Sequence, residues 1–450
     1  MMDYGKFEPE LLPPRSERTI DGIRFAFHRK DREKILKLGR IIIDKGYDLF
    51  IQPMITPEYS DEELLELISD VNKYLEDAAG FYIVDSFGEM RPNDMKRMIH
   101  LIDHNLKASI PLGLHSHNNL QLSYSNAMAF IVFRMNREII VDSSILGMGK
   151  GAGNLNTELL LEHINQYYGG KYNIAPLLEV IDSCINVLHE EYHWGYSPEF
   201  YLSSVNHCSP TYAKHLYSKH RLRIDQVGEV LAMLDDSKKI SFDKSYVEEK
   251  YREYNSRNKC NDADFVSRLY SLVKDKEVLL IAPGLTVGAN MKKLEEMAKS
   301  DNTITIALNG VYDLPIDFVV VTRPEMKGIQ TNETVKKVLL SNICSKSEKE
   351  MNSKVEVLDY SKWITMDTVT RDSAGVVCLN LLKNSGAKIV KLAGFDGFST
   401  DVNANYYSMS MRRALTDEEA ENLNVFFSDF LKKIKKNLKI EFVTETLYEV

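Results

Sequence analysis

The chain has 450 residues, of which 44% are hydrophobic and 27% are charged, and its formal net charge is −9. This length allows two or three domains, each with its own core, and the acidic balance without a basic stripe argues against nucleic acid as the main partner. No apolar stretch is long enough to cross a bilayer, and five scattered cysteines without a C-x-x-C pair indicate reduced thiols, so a cytoplasmic protein without membrane partners is expected.

The first 142 residues alternate between strand-like and helix-like segments. The helical pattern of 60–78 opens with Ser60 and Glu63, the spacing of a capping box. Such alternation predicts a parallel sheet, and polar residues at several strand ends favour a (β/α)8 barrel, although an open doubly wound sheet would give the same repeats. The candidate strands are Met1–Tyr4, Ile23–His28, Tyr47–Met54, Phe81–Asp85, Ile110–His115 and Glu138–Asp142.

A His-x-His pair ends the fifth of these strands. His115 and His117 are two positions apart, so in a strand their side chains point to the same face. Two neutral imidazoles at the mouth of a sheet are a common arrangement for a first-row metal ion. The alternative is a half-buried strand whose histidines bond only carbonyl groups or water.

A glycine-spaced loop follows the sixth strand. Glycines occupy the alternate positions 147, 149, 151 and 153, which lets the backbone approach a ligand closely and adopt positive φ. A dinucleotide fingerprint would leave the upstream histidines unexplained, and a P-loop is excluded because Ser144 and Gly151 stand where the motif needs glycine and Ser or Thr. A functional loop is therefore the better interpretation than a flexible surface turn.

Three motifs together resemble the metal-dependent pyruvate aldolase family, which includes 4-hydroxy-2-oxovalerate aldolase, hydroxymethylglutaryl-CoA lyase and isopropylmalate synthase. They are Asp85-Ser-Phe-Gly88, His115-Ser-His-Asn-Asn119 and Gly147-Met-Gly-Lys-Gly-Ala-Gly-Asn154. They follow the family's order and spacing on what would be its sixth, seventh and eighth barrel strands. The resemblance covers residues 1–215 and implies a TIM barrel with hydroxy-oxovalerate aldolase-like chemistry.

The resemblance also implies roles for individual residues. A Mn²⁺ or Mg²⁺ ion would be bound by His115, His117 and Asn154, and it would stabilise the enolate of a 2-oxo acid that reacts with an aldehyde. Ser86 matches a hydroxyl residue of the substrate pocket, and Tyr196 matches a pocket tyrosine, with a packing role as its alternative. The remaining positions assigned to the substrate are Asp85, Gly149 and Gly151.

The sequence departs from the family at its start. The family's first strand carries a metal-binding aspartate and an arginine, whereas this chain opens at Met1-Met-Asp-Tyr-Gly-Lys-Phe7, which corresponds to a third strand. We therefore expect an incomplete (β/α)8 barrel lacking the first two strands, with two open edges that favour homo-oligomers and with impaired activity. Truncation is the favoured explanation, and the alternatives are a site completed by a dimer or a non-catalytic metabolite-binding scaffold.

A second α/β pattern occupies the C-terminal part. Residues 216–274 predict a helical connector, with one helix over Tyr212–Leu234, and residues 275–450 predict a Rossmann-like domain. Its expected elements include a strand at the start, Glu277–Gly284, a helix capped by Ser373, and a final helix over Asp417–Lys436.

The first turn of this second domain suggests a phosphate site. A glycine after a strand and before a helix, at Ala282-Pro-Gly-Leu-Thr286, could place an anion at the helix N-terminus, although a plain tight turn fits equally well. Three segments, taken in order, resemble those of pterin pyrophosphokinase-like domains and, more distantly, sialyltransferases. They are this turn, Ala307-Leu-Asn309 and Gly394-Phe-Asp396. This resemblance implies a nucleotide partner, with nucleotide-sugar or pyrophosphate transfer as an alternative function. The residues concerned are Gly284, Thr286, Asn309 and Asp396, with Arg323 as a further contact.

Overall fold

A computed structural model describes residues 1–133, 135–257, 259–344, 355–365, 372–407 and 415–449. The chain divides into two compact units. The first comprises 1–215 with 235–242, and the second comprises 216–234 with 243–450. The helices that follow residue 243 thus belong to the second unit.

The first unit is built on a six-stranded parallel sheet in which the strands pair in chain order. This is the order in which consecutive strands of a (β/α)8 barrel pair. The strands are β1 Met2–Asp3, β2 Gly22–Phe27, β3 Asp48–Pro53, β4 Gly80–Asp85, β5 Leu112–Ser116 and β6 Ile139–Val141.

Helices follow most of these strands, and those within residues 32–168 bury apolar residues in the core of the unit. The capping box expected at Ser60 is confirmed, since the Ser60 hydroxyl accepts from the Glu63 amide and the Glu63 carboxylate accepts from the Ser60 amide. The helices are α1 Arg32–Asp44, α2 Asp61–Tyr74, α3 Pro92–Asn105, α4 Ser123–Val132, α5 Thr157–Tyr168, α6 Ala175–Val180, α7 Asn186–Tyr192, α8 Pro198–Val205 and α9 Pro210–Tyr217.

The second unit contains a seven-stranded parallel sheet with the order β11-β10-β9-β8-β7-β12-β13. The chain starts in the middle at β7, runs outward to β11, and returns to the other side of β7. The strands are β7 Glu277–Ile281, β8 Thr303–Leu308, β9 Phe318–Val321, β10 Lys336–Leu340, β11 Val355–Leu358, β12 Ile389–Ala393 and β13 Ile440–Phe442.

The helices α10 to α18 complete the fold, and the cap expected at Ser373 is confirmed because its hydroxyl accepts from the Val376 amide. They are α10 Ile224–Leu231, α11 Asp236–Lys239, α12 Lys244–Ser256, α13 Ala263–Val273, α14 Thr286–Ala289, α15 Met291–Ala298, α16 Tyr360–Trp363, α17 Ala374–Leu382 and α18 Asp417–Ile434.

The α/β class with parallel sheets is confirmed in both units. The single helix expected over Tyr212–Leu234 is wrong, because α9 ends at Tyr217 and α10 begins at Ile224. His220, between them, has φ +52°, a left-handed conformation that a continuous helix cannot contain. The apolar positions on both sides of this break had suggested one helix.

Candidate functional site

The two histidines lie at the carboxyl end of β5, as the strand pattern predicts. Their ring centres are 5.4 Å apart and the rings are nearly perpendicular. Two imidazoles that bind one ion at about 2.1 Å per nitrogen hold their ring centres on the order of 5 Å apart. The spacing of His115 and His117 is therefore compatible with a shared ion.

The Nδ1 atom of each ring faces an acceptor. His115 Nδ1 lies 3.0 Å from a carboxylate oxygen of Asp142, and His117 Nδ1 lies 3.1 Å from the Lys150 carbonyl oxygen. A hydrogen bond from Nδ1–H to a carboxylate or carbonyl leaves the Nε2 lone pair for a ligand, which is the usual arrangement of metal-binding histidines. Both rings thus have the support that metal ligation needs.

The charge state of His117 also suits a metal ligand. Burial, with a smaller contribution from the neighbouring His115, lowers the pKa of His117 to about 4. The ring is therefore neutral at physiological pH, and only a neutral imidazole can donate its lone pair to a metal ion.

Asn154 lies next to His117 in the backbone pairing and carries the third candidate ligand atom, its side-chain oxygen. Its backbone pairs with that of His117, and its amide nitrogen donates to the Met148 carbonyl at 2.9 Å. Its Oδ1 atom is buried without a hydrogen-bond partner in the part of the chain that the structure describes. A buried acceptor left without a donor is costly, and a cation would satisfy it. Two imidazoles and this oxygen fit a first-row divalent ion.

The glycines keep the loop against Asn154 and Asn119. A side chain at Gly149 would place its Cβ 2.4 Å from the Asn154 amide nitrogen. Gly151, at φ +71°, leaves room for the Asn119 carboxamide, whose oxygen accepts from the Ala152 amide at 2.9 Å. The two glycines assigned to substrate binding thus support the loop that carries the Lys150 carbonyl.

A charged network adjoins His115. Asp142, which follows β6, accepts from His115 Nδ1 and pairs with the Arg24 guanidinium from β2. Arg24 also lies 3.2 Å from His115 Nδ1, and the Tyr82 hydroxyl donates to the other Asp142 oxygen at 3.4 Å. The carboxylate holds the imidazole and the guanidinium together, so a positive charge lies beside the candidate metal ligands.

The other residues assigned to the aldolase site have different surroundings. Asp85 is buried, and its carboxylate accepts from the Glu89 and Met90 amides, while burial raises its pKa to about 7. The Ser86 hydroxyl accepts from the Ile55 amide at 3.0 Å. Tyr196 is 57% exposed, and the described hydrogen bonds and ring contacts include none between it and the histidine pair.

A second group of residues with metal-ligand side chains lies in the same unit, in the connections after β3 and β4 and between α8 and α9. In the Glu–Glu–His cluster, formed by Glu58, Glu89 and His207, one ligand atom from each residue lies within 4.8 Å of the others. His207 Nδ1 is 2.9 Å from Glu89 and 3.7 Å from Glu58. It is the only cluster of three His, Cys, Asp or Glu side chains with this spacing in the described ranges. It is thus a rival location for a bound ion.

The cluster predicts a pH effect on stability. Burial, with repulsion from Asp85 and Glu58, raises the pKa of Glu89 to about 8. Above about pH 4.5 the unfolded state loses this proton, while the folded state keeps it up to about pH 8. The stability that this group contributes is therefore complete at low pH, falls as the pH rises, and is lost once the pH has passed about 8. We expect Glu89→Gln to lessen the loss of unfolding free energy between about pH 5 and 8.5, by on the order of 1–3 kcal/mol.

Urea unfolding of chelator-treated protein at the two pH values measures this effect. Glu62→Gln, at an exposed position on α2, is the matched control and should behave like the wild type. Equal pH dependence in Glu89→Gln and wild type would contradict the expectation.

In the second unit, the residues assigned to a nucleotide bond one another or their neighbours. Asp396 accepts from the amide and the hydroxyl of Thr286, and a Cβ at Gly284 would lie 2.3 Å from the Gly394 carbonyl oxygen. Asn309 accepts from the Thr322 amide at 2.7 Å and donates to its hydroxyl at 3.0 Å. These groups support the turns in which they lie.

Sequence reasoning missed Arg24, Asp142 as a site residue, and the Glu–Glu–His cluster. Arg24 carried a usable signal, because a charged residue in the middle of the apolar strand Ile23–Phe27 points to a polar interior site. His207 carried none, since it meets Glu58 and Glu89 only through the fold.

Comparisons with known proteins match the first unit. Residues 25–177 match the family model described as HMGL-like. A 4-hydroxy-2-oxovalerate aldolase from Shewanella halifaxensis is 27% identical over 175 residues, which are 38% of this chain and 49% of that protein. 4-Hydroxy-2-oxovalerate aldolase 2 from Comamonas testosteroni is 34% identical over 145 residues, 32% of this chain and 40% of that protein. These matches support an aldolase/HMG-CoA lyase-like family for this part of the chain.

Among solved structures, the HMG-CoA lyase from Brucella melitensis is similar with 14% sequence identity and a TM-score of 0.31, over 35% of this chain and 63% of that one. The chain spans less than half the length of the two aldolases it matches. Within the described residues, no helix combines the length and apolar character that a membrane span requires.

Proposed function

We propose that the first unit is a divalent-metal-dependent aldolase that acts on a 2-oxo acid. The aldol reaction and the 2-oxo acid are taken from the names of the 4-hydroxy-2-oxovalerate aldolases that it resembles. The ion, Mn²⁺ or Mg²⁺, would be held by His115, His117 and Asn154. When bound, it supplies the positive charge that stabilises the enolate of a 2-oxo acid. The carrying observation is that the Nδ1 atoms of His115 and His117 both face acceptors, while Asn154, whose backbone pairs with that of His117, has a buried side-chain oxygen without a partner among the described residues.

The surrounding residues prepare this site. Asp142 fixes the tautomer and orientation of His115, and the Lys150 carbonyl does the same for His117. Arg24 adds a fixed positive charge at the Nδ1 side of His115, where it also holds the Asp142 carboxylate in place. Ser86, Tyr196, Asp85, Gly149 and Gly151 remain predictions for substrate binding or support.

The reaction can be tested directly with the full chain. We expect chelator-treated protein to release pyruvate from 4-hydroxy-2-oxopentanoate only after Mn²⁺ or Mg²⁺ is added, because the enolate lacks its counter-charge otherwise. Pyruvate formation is followed with a lactate dehydrogenase couple, and the reverse reaction with pyruvate and short aldehydes. His104→Ala, at an exposed position on α3, is the control. Equal rates with and without metal, or no pyruvate with either ion, would refute the proposal.

A further inference from the structure

The sheet of the second unit has a crevice where its strand order reverses. The chain leaves β7 toward β8 on one side and returns through β12 on the other, so the connections that follow these adjacent strands lead in opposite directions along the sheet. In open parallel sheets, ligands bind in the crevice at the carboxyl ends of the strands on either side of such a reversal. A cavity lies there, lined by the loop containing Gly284 and the loop containing Gly394. We call it the switch-point cavity.

The charged side chains that line the switch-point cavity carry a net positive charge. They are Arg221, Arg323 and Asp396. Both arginine side chains are mostly buried, with exposed fractions of 11% and 7%. Burying a guanidinium is expensive unless an anion or several hydrogen bonds compensate it. The carboxylate of Asp396 accepts hydrogen bonds from Thr286, so its negative charge is directed at the turn after β7 and not at the arginines.

Other contacts position the two guanidiniums. Arg221 Nε donates to the carbonyl and the carboxylate of Asp372, at 3.1 and 3.2 Å. The Arg323 guanidinium lies 5.3 Å from the ring centre of Tyr406 and 3.6 Å from Glu325. Glu325 in turn is 2.9 Å from His220. The arginines are thus held at the cavity wall, and the carboxylates beside them also serve other partners.

The first turn of α17 adds to this field. Ser373, Ala374 and Gly375 line the cavity, and α17 is nine residues long. The N-terminus of a helix carries partial positive charge. This contribution reinforces the two arginines.

The size of the cavity limits what can enter. Its volume is about 90 Å³. Pockets that hold drug-sized ligands measure roughly 300–1,000 Å³. The space beside the arginines therefore suits one anionic group, and the opening of the cavity to solvent leaves room for the rest of the ligand. A phosphoryl group combines this small size with a double negative charge and the oxygen geometry that guanidinium forks recognise.

We propose that the switch-point cavity binds the phosphoryl group of a small phosphorylated metabolite through Arg221 and Arg323. The cavity is lined by several of the residues expected from the sequence to contact a nucleotide, but the anion-binding groups differ. Asp396 already occupies the anion position at the Gly284–Thr286 turn, and Arg221, which the sequence did not indicate, joins Arg323. It does not depend on the metal or on aldolase activity. Inorganic phosphate, a sugar phosphate and a nucleotide all offer a phosphoryl group, and separate titrations distinguish them.

Calorimetry of the full chain in chelator, with inorganic phosphate, ribose 5-phosphate and CMP as separate probes, tests the proposal. We expect at least one probe to bind, and its identity to show which source the site prefers. Arg323→Gln should weaken that binding about 10- to 100-fold, since hydrogen bonds to charged groups have this effect, and Arg323→Lys should weaken it less. Arg268→Gln, at an exposed arginine paired with Glu356, should bind like the wild type.

Two results would overturn the proposal: no probe binds the wild type at concentrations up to about 1 mM, the upper end of ordinary substrate affinities, or Arg323→Gln binds as tightly as the wild type. If Arg323→Gln does not fold, hydrogen exchange of the wild type with the bound probe decides instead. Slower exchange over 373–377 and 394–398 supports the site. Unchanged exchange there, or protection confined to the first unit, rejects it.

Discussion

His117→Ala is expected to lower the affinity of the first unit for Mn²⁺ by at least about 100-fold, and metal-dependent pyruvate release should fall with it. Loss of groups that merely support a ligand already costs about 10- to 100-fold in affinity, so loss of the ligand itself should cost more. The fold should survive, because the ring is replaced at the end of β5 rather than in the middle of the core. Mn²⁺ titration followed by electron paramagnetic resonance measures the affinity.

A parallel titration of His207→Ala separates the two candidate locations of the ion. His207 belongs to the Glu–Glu–His cluster, and its replacement should leave binding at the histidine pair intact. Loss of Mn²⁺ binding in His207→Ala, with normal binding in His117→Ala, would move the ion to that cluster and remove the basis of the proposed mechanism. Loss in both variants would instead indicate two ions.

Arg24→Gln is expected to reduce kcat of the aldol reaction by about 10- to 100-fold, the range found when a group that supports a metal ligand is lost, because Arg24 pairs with Asp142 at the Nδ1 side of His115. KM should change much less, because the metal ligands remain. Arg24→Lys should recover part of the rate, since it keeps the charge but loses the planar fork. Steady-state kinetics with parallel metal titration separate these effects.

Arg32→Gln is the control for this experiment, because Arg32 also pairs with carboxylates of the first unit, those of Glu66 and Asp70. It should retain kcat. If Arg24→Gln loses metal binding to the same extent as activity, the guanidinium acts by holding Asp142 and His115 in place. An unchanged kcat would show that Arg24 takes no part in the reaction.

Local sequence signals predicted the regular elements well. The capping residues Ser60 and Ser373 begin helices as expected, because such caps depend on residues three positions apart. Strand β10, Lys336–Leu340, was missed, since a short apolar run after two lysines gives little periodicity. The break between α9 and α10 was also missed, because apolar residues continue on both sides of it.

The site was predictable only where it is local in sequence. His115 and His117 share a strand, and their close approach follows from the two-residue period. Arg24 and Asp142 are 118 positions apart, and three strands separate β2 from β6, so only the curvature of the sheet brings the two side chains into contact. The two arginines of the switch-point cavity also approach only through the fold.

The glycine loop changes how relatives of this chain should be compared. At Gly153 an added Cβ would lie 2.0 Å from the Gly147 carbonyl oxygen, and at Gly149 it would strike Asn154. A methyl group at either position would displace the loop while every proposed ligand stayed in the sequence. Homologues that keep both histidines but lack these glycines are therefore expected to be inactive. The presence of the glycines should be checked before that of the ligands when activity is assigned to relatives of this chain.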